Sequence, residues 1–277
     1  MRSVTFPSAK RVPALGQGTW QMDESGAGRR EAIAALQLGL DLGMTVIDTA
    51  EMYGEGKVEE IVGEAIAGRR DEVFLVSKCY PQNASRKRMV EACARSLKRL
   101  RTDRIDLYLL HWPGSVPIDE TLDTFIRLKD EGKILDYGIS NFDARGASRV
   151  WSAPGGGGIV TDQVLYNLSE RGIEWDLLPW CRKRGLPLMA YTPLGQGALL
   201  REPVLARVAA RHGATPAQIA LAWLLAKDGV LAIPKAGRVA HVRENRKAAD
   251  IALAPADLAD LDAAFPPPAG PSPLAIL

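Results

Sequence analysis

Apolar positions along the chain fall into short runs that alternate with helical stripes. Val73-Phe74-Leu75-Val76-Ser77 and Ile105-Asp106-Leu107-Tyr108-Leu109-Leu110 are two such runs. Runs of this length, bounded by turn residues, read as strands covered on both faces. Between runs, Ile33, Leu36 and Leu40 share one helical face. So do Val58, Ile61, Val62, Ala65 and Ile66, and then Met89, Cys93, Leu97 and Leu100. Gly43, Gly68, Gly132 and Gly185 close successive helices, Ser85 is placed to cap one, and Pro216 opens another. The pattern predicts strands at 14–20, 44–47, 73–77, 105–110, 137–139, 159–162, 186–190 and 230–234. A small hairpin, Val4-Thr5-Phe6 against Arg11-Val12, precedes them, and the helices at about 201–211, 215–227, 239–250 and 256–264 are more than the alternation needs. This is an α/β pattern. It predicts one domain over 1–277, an eight-stranded (β/α)8 TIM barrel with an N-terminal β-hairpin and extra helices near the C-terminus. The hairpin is expected to close one end, and the proline-rich tail from Phe265 to be irregular.

Composition narrows the class without naming a function. A hydrophobic fraction of 47% and a charged fraction of 25% are those of a globular protein. A formal charge of +2 gives no reason to expect nucleic acid or a membrane surface as partner. No apolar stretch is long enough to span a bilayer, and Met1-Arg2-Ser3-Val4-Thr5-Phe6-Pro7 lacks the apolar run of a signal peptide. Cys79, Cys93 and Cys181 are widely spaced and form no CxxC pair. Neither a disulfide framework nor a metal site is indicated, and a cytoplasmic, monomeric protein is expected. The run Gly155-Gly156-Gly157-Gly158 precedes a strand, so it reads as a solvent loop and not as a phosphate cradle.

Polar chemistry gathers where the predicted strands end. In order these residues are Thr19-Trp20, Asp48, Lys78, His111, Ser140-Asn141, Gln163, Tyr191 and Lys235. In a barrel all of them reach the C-terminal, reactive face. Asp48-Thr49-Ala50-Glu51-Met52-Tyr53-Gly54 is the centre of the set: a carboxylate at a strand end, followed on the loop by a phenol. A free phenol titrates at about 10 and is a poor acid at neutral pH. Lys78 beside Tyr53 is expected to lower that value, with Asp48 moderating the effect. Tyr53 then serves as proton donor while His111 orients a substrate oxygen, which suits protonation of a carbonyl. A reduction also needs a hydride cofactor, since none of these groups is a reductant. The same residues leave a second enzyme class open: an aldolase-type barrel with Lys78 as Schiff-base nucleophile.

The ordered motifs resemble the aldo-keto reductase family. They are Asp48-Thr49-Ala50 with Tyr53-Gly54, Val76-Ser77-Lys78, and Ile105 through Pro113 around His111. Gly138-Ile139-Ser140-Asn141-Phe142, Gln163 with Tyr166-Asn167, Tyr191 with Pro193-Leu194-Gly195, Ile233-Pro234-Lys235 and Glu244-Asn245 complete the set, over residues 11–250. The resemblance implies NADPH-dependent reduction of aldehydes or ketones, with Asp48, Tyr53, Lys78 and His111 catalytic. It implies that Ser140, Asn141 and Gln163 hold the nicotinamide carboxamide and that Tyr191 stacks on the ring. Thr19, Trp20, Thr192, Pro193, Leu194 and Gly195 would adjoin the cofactor. Lys235, Ala236, Arg238, His241, Glu244 and Asn245 would hold its adenosine phosphate. Two positions depart from the family pattern: Ala236 stands where a serine is common, and His241 where an arginine is common. NADPH remains expected, with weaker use of NADH. The family also includes regulatory subunits that keep barrel and cofactor, a third possible role.

Short loops after His111 and Tyr191 leave few walls for a large ligand. Trp20, Met22, Met52 and Trp112 are candidates for an apolar substrate rim, and small aldehydes or dicarbonyls of the methylglyoxal kind are the expected substrates. Trp20 and Trp112 would serve equally as packing aromatics. Trp151, Trp175, Trp180 and Trp223 are expected to pack from helices, His212 to end a helix, and Cys79 to be a buried, inert thiol.

Overall fold

The computed structural model describes residues 1–277. Two short strands, β1 (Ser3–Thr5) and β2 (Arg11–Pro13), form the antiparallel hairpin. Eight parallel strands follow: β3 (Gln17–Gly18), β4 (Val46–Asp48), β5 (Phe74–Cys79), β6 (Ile105–Leu110), β7 (Ile134–Ser140), β8 (Ile159–Leu165), β9 (Leu188–Tyr191) and β10 (Val230–Ala232). Each pairs with its sequence neighbour. The barrel closes between its first and last strands. Gly16 N–H donates to Ala232 O at 2.9 Å, and Gly18 N–H to Pro234 O at 3.0 Å. A side chain at Gly18 would run into the Ile233 carbonyl. Only glycine lets the two backbones meet at this seam.

Ten helices surround the sheet: α1 (Gly26–Asp41), α2 (Lys57–Ala65), α3 (Arg86–Leu100), α4 (Ile118–Asp130), α5 (Ala144–Ser152), α6 (Leu177–Lys183), α7 (Pro203–His212), α8 (Pro216–Leu225), α9 (Val239–Ala248) and α10 (Pro255–Ala264). α7 and α10 are surplus to the β/α alternation. His212, the last residue of α7, pairs with Asp257 of α10 at 2.7 Å. The hairpin covers the N-terminal end of the barrel, where Phe6 stacks on Phe74 at a centroid distance of 5.2 Å. No helix is long and apolar enough to cross a membrane.

Several local expectations differ from the structure. Ser85 sits at the N-cap of α3, yet its side chain makes no cap; Glu120 accepts from Arg86 N–H instead at 2.8 Å. β7 starts at Ile134, before the expected 137. Leu135 is exposed and Asp136 is polar, which hides the strand in the pattern, but Ile134 and Asp136 register with Ile105 and Leu107 of β6. β8 likewise continues through Gln163 to Leu165. α6 begins only at Leu177, so Trp175 lies outside it and is exposed instead of packed. Met22 is buried within the hydrophobic core, not at a rim.

The turn that carries Tyr53 is anchored from behind. Glu59, in the first turn of α2, is fully buried. It accepts from Ser77 Oγ at 2.6 Å and from Arg99 Nε at 2.6 Å. α2 is thereby tied to β5 and α3 at once. The Arg99 side chain occupies the space where a Cβ on Gly56 would lie, and Gly56 has φ 94°. Gly56→Ala should therefore destabilise the fold by about 1–3 kcal/mol, from left-handed strain and displacement of Arg99. Urea unfolding checks this: the midpoint should fall with an unchanged m-value.

Candidate active site

β4 and β5 present their inward polar residues at the C-terminal mouth. Asp48 is the last residue of β4, and Lys78 lies one residue before the end of β5. Lys78 is fully buried. Its Nζ donates to Asp48 Oδ1 at 2.6 Å, to Asp48 Oδ2 at 2.8 Å, to Thr49 O at 2.9 Å and to Tyr53 Oη at 3.2 Å. Four acceptor atoms around three N–H groups leave the ammonium fully satisfied. Burial disfavours the ammonium, but the Asp48 carboxylate and the Tyr53 oxygen outweigh it and hold Lys78 above the usual lysine range. An amine in that state is no nucleophile. A Schiff-base lysine needs the opposite shift, which removes the aldolase reading.

Tyr53 follows on a tight turn in which Gly54, Glu55 and Gly56 all have positive φ. The ring is half-buried. Burial acts most strongly on the phenol and raises it, Lys78 lowers it, and Asp48 raises it again; the net direction is upward. Lys78 lowers the phenol and Asp48 opposes it, as expected, but burial outweighs Lys78, so the expected net lowering is not reached. Even with the ring only half-buried, the phenol loses more from desolvation than the compensated ammonium returns. The result is a phenol that keeps its proton.

His111 directly follows β6, 7% exposed. Its ring meets Tyr53 edge-on at 6.0 Å between centroids. Burial, reinforced by the Lys78 charge, pushes it down to about 2, so the imidazole is neutral. Its Nδ1 is buried with no hydrogen-bond partner.

The other strand ends meet the same mouth. Thr19 Oγ1 donates to Asp48 O at 2.9 Å. Gln163 Nε2 donates to Asp48 Oδ2 at 3.0 Å. Ser140 Oγ donates to Gln163 O at 2.7 Å. Asn141 has φ 64°; its Nδ2 donates to His111 O at 3.0 Å, and its Oδ1 accepts from Tyr191 Oη at 2.8 Å. Tyr191, pushed up to about 12 chiefly by burial, stays neutral. Thr192, Leu194 and Gly195 are half-buried and Pro193 is buried. Lys235, Arg238, His241 and Arg243 are exposed, whereas Ala236 and Asn245 are buried and Glu244 is intermediate. Trp20, Met52 and Trp112 are half-buried.

Sequence reasoning missed Tyr80 and Glu51. Tyr80 packs edge-on against Trp112 at 5.7 Å, and Trp112 lies 4.8 Å from His111. Glu51 is buried and accepts from Tyr80 N–H at 2.8 Å and Asn83 Nδ2 at 3.0 Å. A signal for Tyr80 existed. In a strand, residues 78 and 80 share a face. Cys79 points away from the mouth into the core, with its thiol pushed up by burial, and is inert.

A closed barrel with a protonated phenol, an ion pair and a neutral imidazole at its C-terminal mouth defines an acid–base enzyme. The chain belongs to the aldo/keto reductase family, whose model matches residues 14–265. It is 47% identical to methylglyoxal reductase YeaE of Escherichia coli K12 over 274 residues, 97% of this chain and 96% of that one. An aldo/keto reductase from Klebsiella pneumoniae, solved in complex with NADP and acetate, superimposes with a TM-score of 0.96 at 48% identity, covering 99% of both chains. A Klebsiella pneumoniae aldo-keto reductase solved with NADPH gives 0.95 at 47% identity over the full length of both.

The neutral His111 has a consequence for stability. The unfolded imidazole takes a proton near 6.5, the folded one only at about 2. Between those values the unfolded chain binds more protons, so this residue makes stability fall as pH is lowered. Unfolding free energies of wild type and His111→Asn across that window should diverge in slope. The wild type should be steeper by up to about 1.4 kcal/mol per pH unit; parallel slopes would contradict a neutral buried ring.

Proposed function

We propose that this protein reduces small aldehydes and dicarbonyls to alcohols with NADPH, and that Tyr53 supplies the proton. One observation carries the reading: the Tyr53 hydroxyl lies 3.2 Å from a fully buried, Asp48-paired Lys78 at the barrel mouth. The mouth fits a phosphorylated dinucleotide. Lys235, Arg238 and Arg243 are exposed, and none has a carboxylate within ion-pairing distance. Arg238 instead meets His241 Nε2 at 2.8 Å, just before α9, whose first turn lacks a side-chain cap. Unpaired cations beside free helix N–H groups suit a phosphate. Ser140, Asn141 and Gln163 would hold the nicotinamide carboxamide, Tyr191 its ring, and Lys235, Arg238 and His241 its 2′-phosphate. When bound, the reduced nicotinamide supplies the hydride to the carbonyl carbon.

The chain's own residues then do three things. His111, neutral, donates an N–H to the carbonyl oxygen without adding a second positive charge beside Lys78. Tyr53 gives its proton to the same oxygen as charge develops there. Lys78, held by Asp48 and Thr49 O, stabilises the phenolate left behind. The upward shift of Tyr53 suits this sequence, because an acid must hold its proton until the substrate needs it. Trp20, Met52, Tyr80 and Trp112 offer an apolar rim with few loops around it, which supports small substrates of modest affinity. The similarity to a methylglyoxal reductase supports the same class. On this reading the enzyme works as a monomer, for which one chain supplies a complete set of four catalytic side chains. It works in the cytoplasm, in keeping with three free, buried cysteines.

NADPH oxidation against a panel of small aldehydes, dicarbonyls, sugars and bulky ketones tests the proposal. Small aldehydes and methylglyoxal should have the highest kcat/KM; preference for one sugar or bulky ketone by orders of magnitude would overturn the substrate class. Tyr53→Phe should lower kcat by roughly a hundredfold or more while leaving NADPH affinity nearly unchanged. Near wild-type turnover in that variant would remove Tyr53 as the acid. Cofactor choice is read from the two dissociation constants. NADPH should bind more tightly than NADH, and Arg238→Ala should weaken NADPH and leave NADH almost untouched. Equal loss for both would place Arg238 away from the 2′-phosphate.

A further inference from the structure

One hydrogen bond at the mouth is not required by either half of the reaction. Gln163 Nε2 donates to Asp48 Oδ2 at 3.0 Å. The two residues are 1% and 2% exposed. They come from β8 and β4, which lie four strands apart in an eight-stranded closed sheet. The contact therefore spans the barrel from one wall to the opposite one. A carboxylate can only accept hydrogen bonds, so the amide nitrogen must be the end that faces Asp48. The other neighbour of that nitrogen is Met189 Sδ at 3.8 Å. The amide oxygen of Gln163 is thus turned away from Asp48, with no protein donor on it. The main chain at Gln163 is pinned as well, its carbonyl accepting from Asn141 N–H at 2.9 Å and Ser140 Oγ at 2.7 Å.

We propose that Gln163 is a positioning residue for the proton donor: it shares the Asp48 carboxylate with Lys78 and so leaves the lysine free to hold Tyr53. This inference rests on the reductase reading above. Lys78 Nζ sits closer to the two Asp48 oxygens, at 2.6 and 2.8 Å, than to Tyr53 Oη at 3.2 Å. Carboxylate and phenol compete for one ammonium. Each donor that Asp48 gains from elsewhere weakens its claim on Lys78 and strengthens the claim of Tyr53. Gln163 is such a donor, and it acts where the dielectric is low and the exchange is felt strongly. The same bond fixes the sense of the amide and leaves its oxygen free to accept from a ligand. Cofactor contact and proton donor are then joined through a single side chain.

Gln163→Glu separates this role from a contact with cofactor alone. The substitution keeps an acceptor oxygen toward the mouth but replaces the donor to Asp48 with a second anion. At about pH 8, kcat with methylglyoxal at saturating NADPH should fall on the order of tenfold or more. Toward about pH 5.5 it should recover several-fold, as the introduced carboxyl takes a proton and can donate to Asp48 again. The wild type should be flat over that range. Gln163→Leu should be slow throughout, with no recovery. Binding of 2′-phospho-ADP-ribose, which lacks nicotinamide, should be unchanged in both variants, a readout independent of turnover. Wild-type kcat in Gln163→Glu at about pH 8, or a reduced kcat whose pH profile parallels the wild type, would overturn the inference. So would loss of 2′-phospho-ADP-ribose affinity in both variants, which marks a general structural fault. No carbonyl reduction by the wild type would sink the reductase reading and this inference with it. Normal wild-type turnover with unaltered variants would sink this inference alone.

Discussion

A fully buried ammonium is the constraint around which this mouth is organised. Removing Lys78 from water costs several kcal/mol unless its charge and all its N–H groups are compensated. Asp48 supplies the charge and Thr49 O and Tyr53 Oη the remaining acceptors. That solution fixes the register of β4 on β5, because Asp48 must arrive opposite Val76 for its carboxylate to reach the next inward residue, Lys78. A slip of one residue would turn Lys78 into the helical layer and bury it without a partner. The Glu59–Arg99–Ser77 cluster guards the same register from outside, since Ser77 is the outward neighbour of Lys78.

Charge is divided across the mouth. On the catalytic side the fixed ions cancel: Lys78 faces Asp48, His111 is neutral and Tyr53 keeps its proton. On the α9 side Lys235, Arg238 and Arg243 are exposed, with no carboxylate paired to them. On the proposed reading a highly charged ligand would be held where solvent still reaches it, at modest desolvation cost. The proposed proton transfer would take place among buried groups, where each hydrogen bond counts for more. On the proposed reading, one arrangement would recruit the dinucleotide by charge and leave the reacting carbonyl at a site with no net charge but an oriented ion pair.

The sequence showed the barrel clearly because parallel strands buried on both faces leave continuous apolar runs, and because strand-end polar residues repeat in register. Asp48, Lys78 and His111 stood out for the same reason. Other features depend on neighbours that a linear pattern does not contain. The start of β7 is hidden by exposed Leu135 and by Asp136, whose partner Lys129 comes from α4. Ser85 has the right residue type for a cap, but Glu120 reaches the helix end first. Met22 had the right type for a rim and lies in the core. The direction of the Tyr53 shift could not be read from its partners, since burial, which decides it, is a property of the assembled mouth.

Backbone strain sorts to the reactive end. Seven non-glycine residues have positive φ: Ala9, Gln21, Glu55, Arg101, Asn141, Thr192 and Gln196. Ala9 lies in the hairpin turn and Arg101 ends α3, but the other five follow β3, β4, β7 or β9 on the side where the mouth opens. Thr192 is the most telling, because a β-branched residue is disfavoured at its φ of 49°. It persists because its carbonyl accepts from Asn167 Nδ2 at 3.0 Å and because Tyr191 before it is tethered to Asn141. Asn141 is itself strained and held at both ends of its amide, by His111 O and by Tyr191. These bonds run from β6 through β7 to β9 and the loop after β8, so no single loop can relax alone. Strain of about 1–3 kcal/mol per residue survives only where surrounding contacts over-determine the geometry. Here two of the residues that make such contacts, Asn141 and Tyr191, are also proposed to meet the nicotinamide.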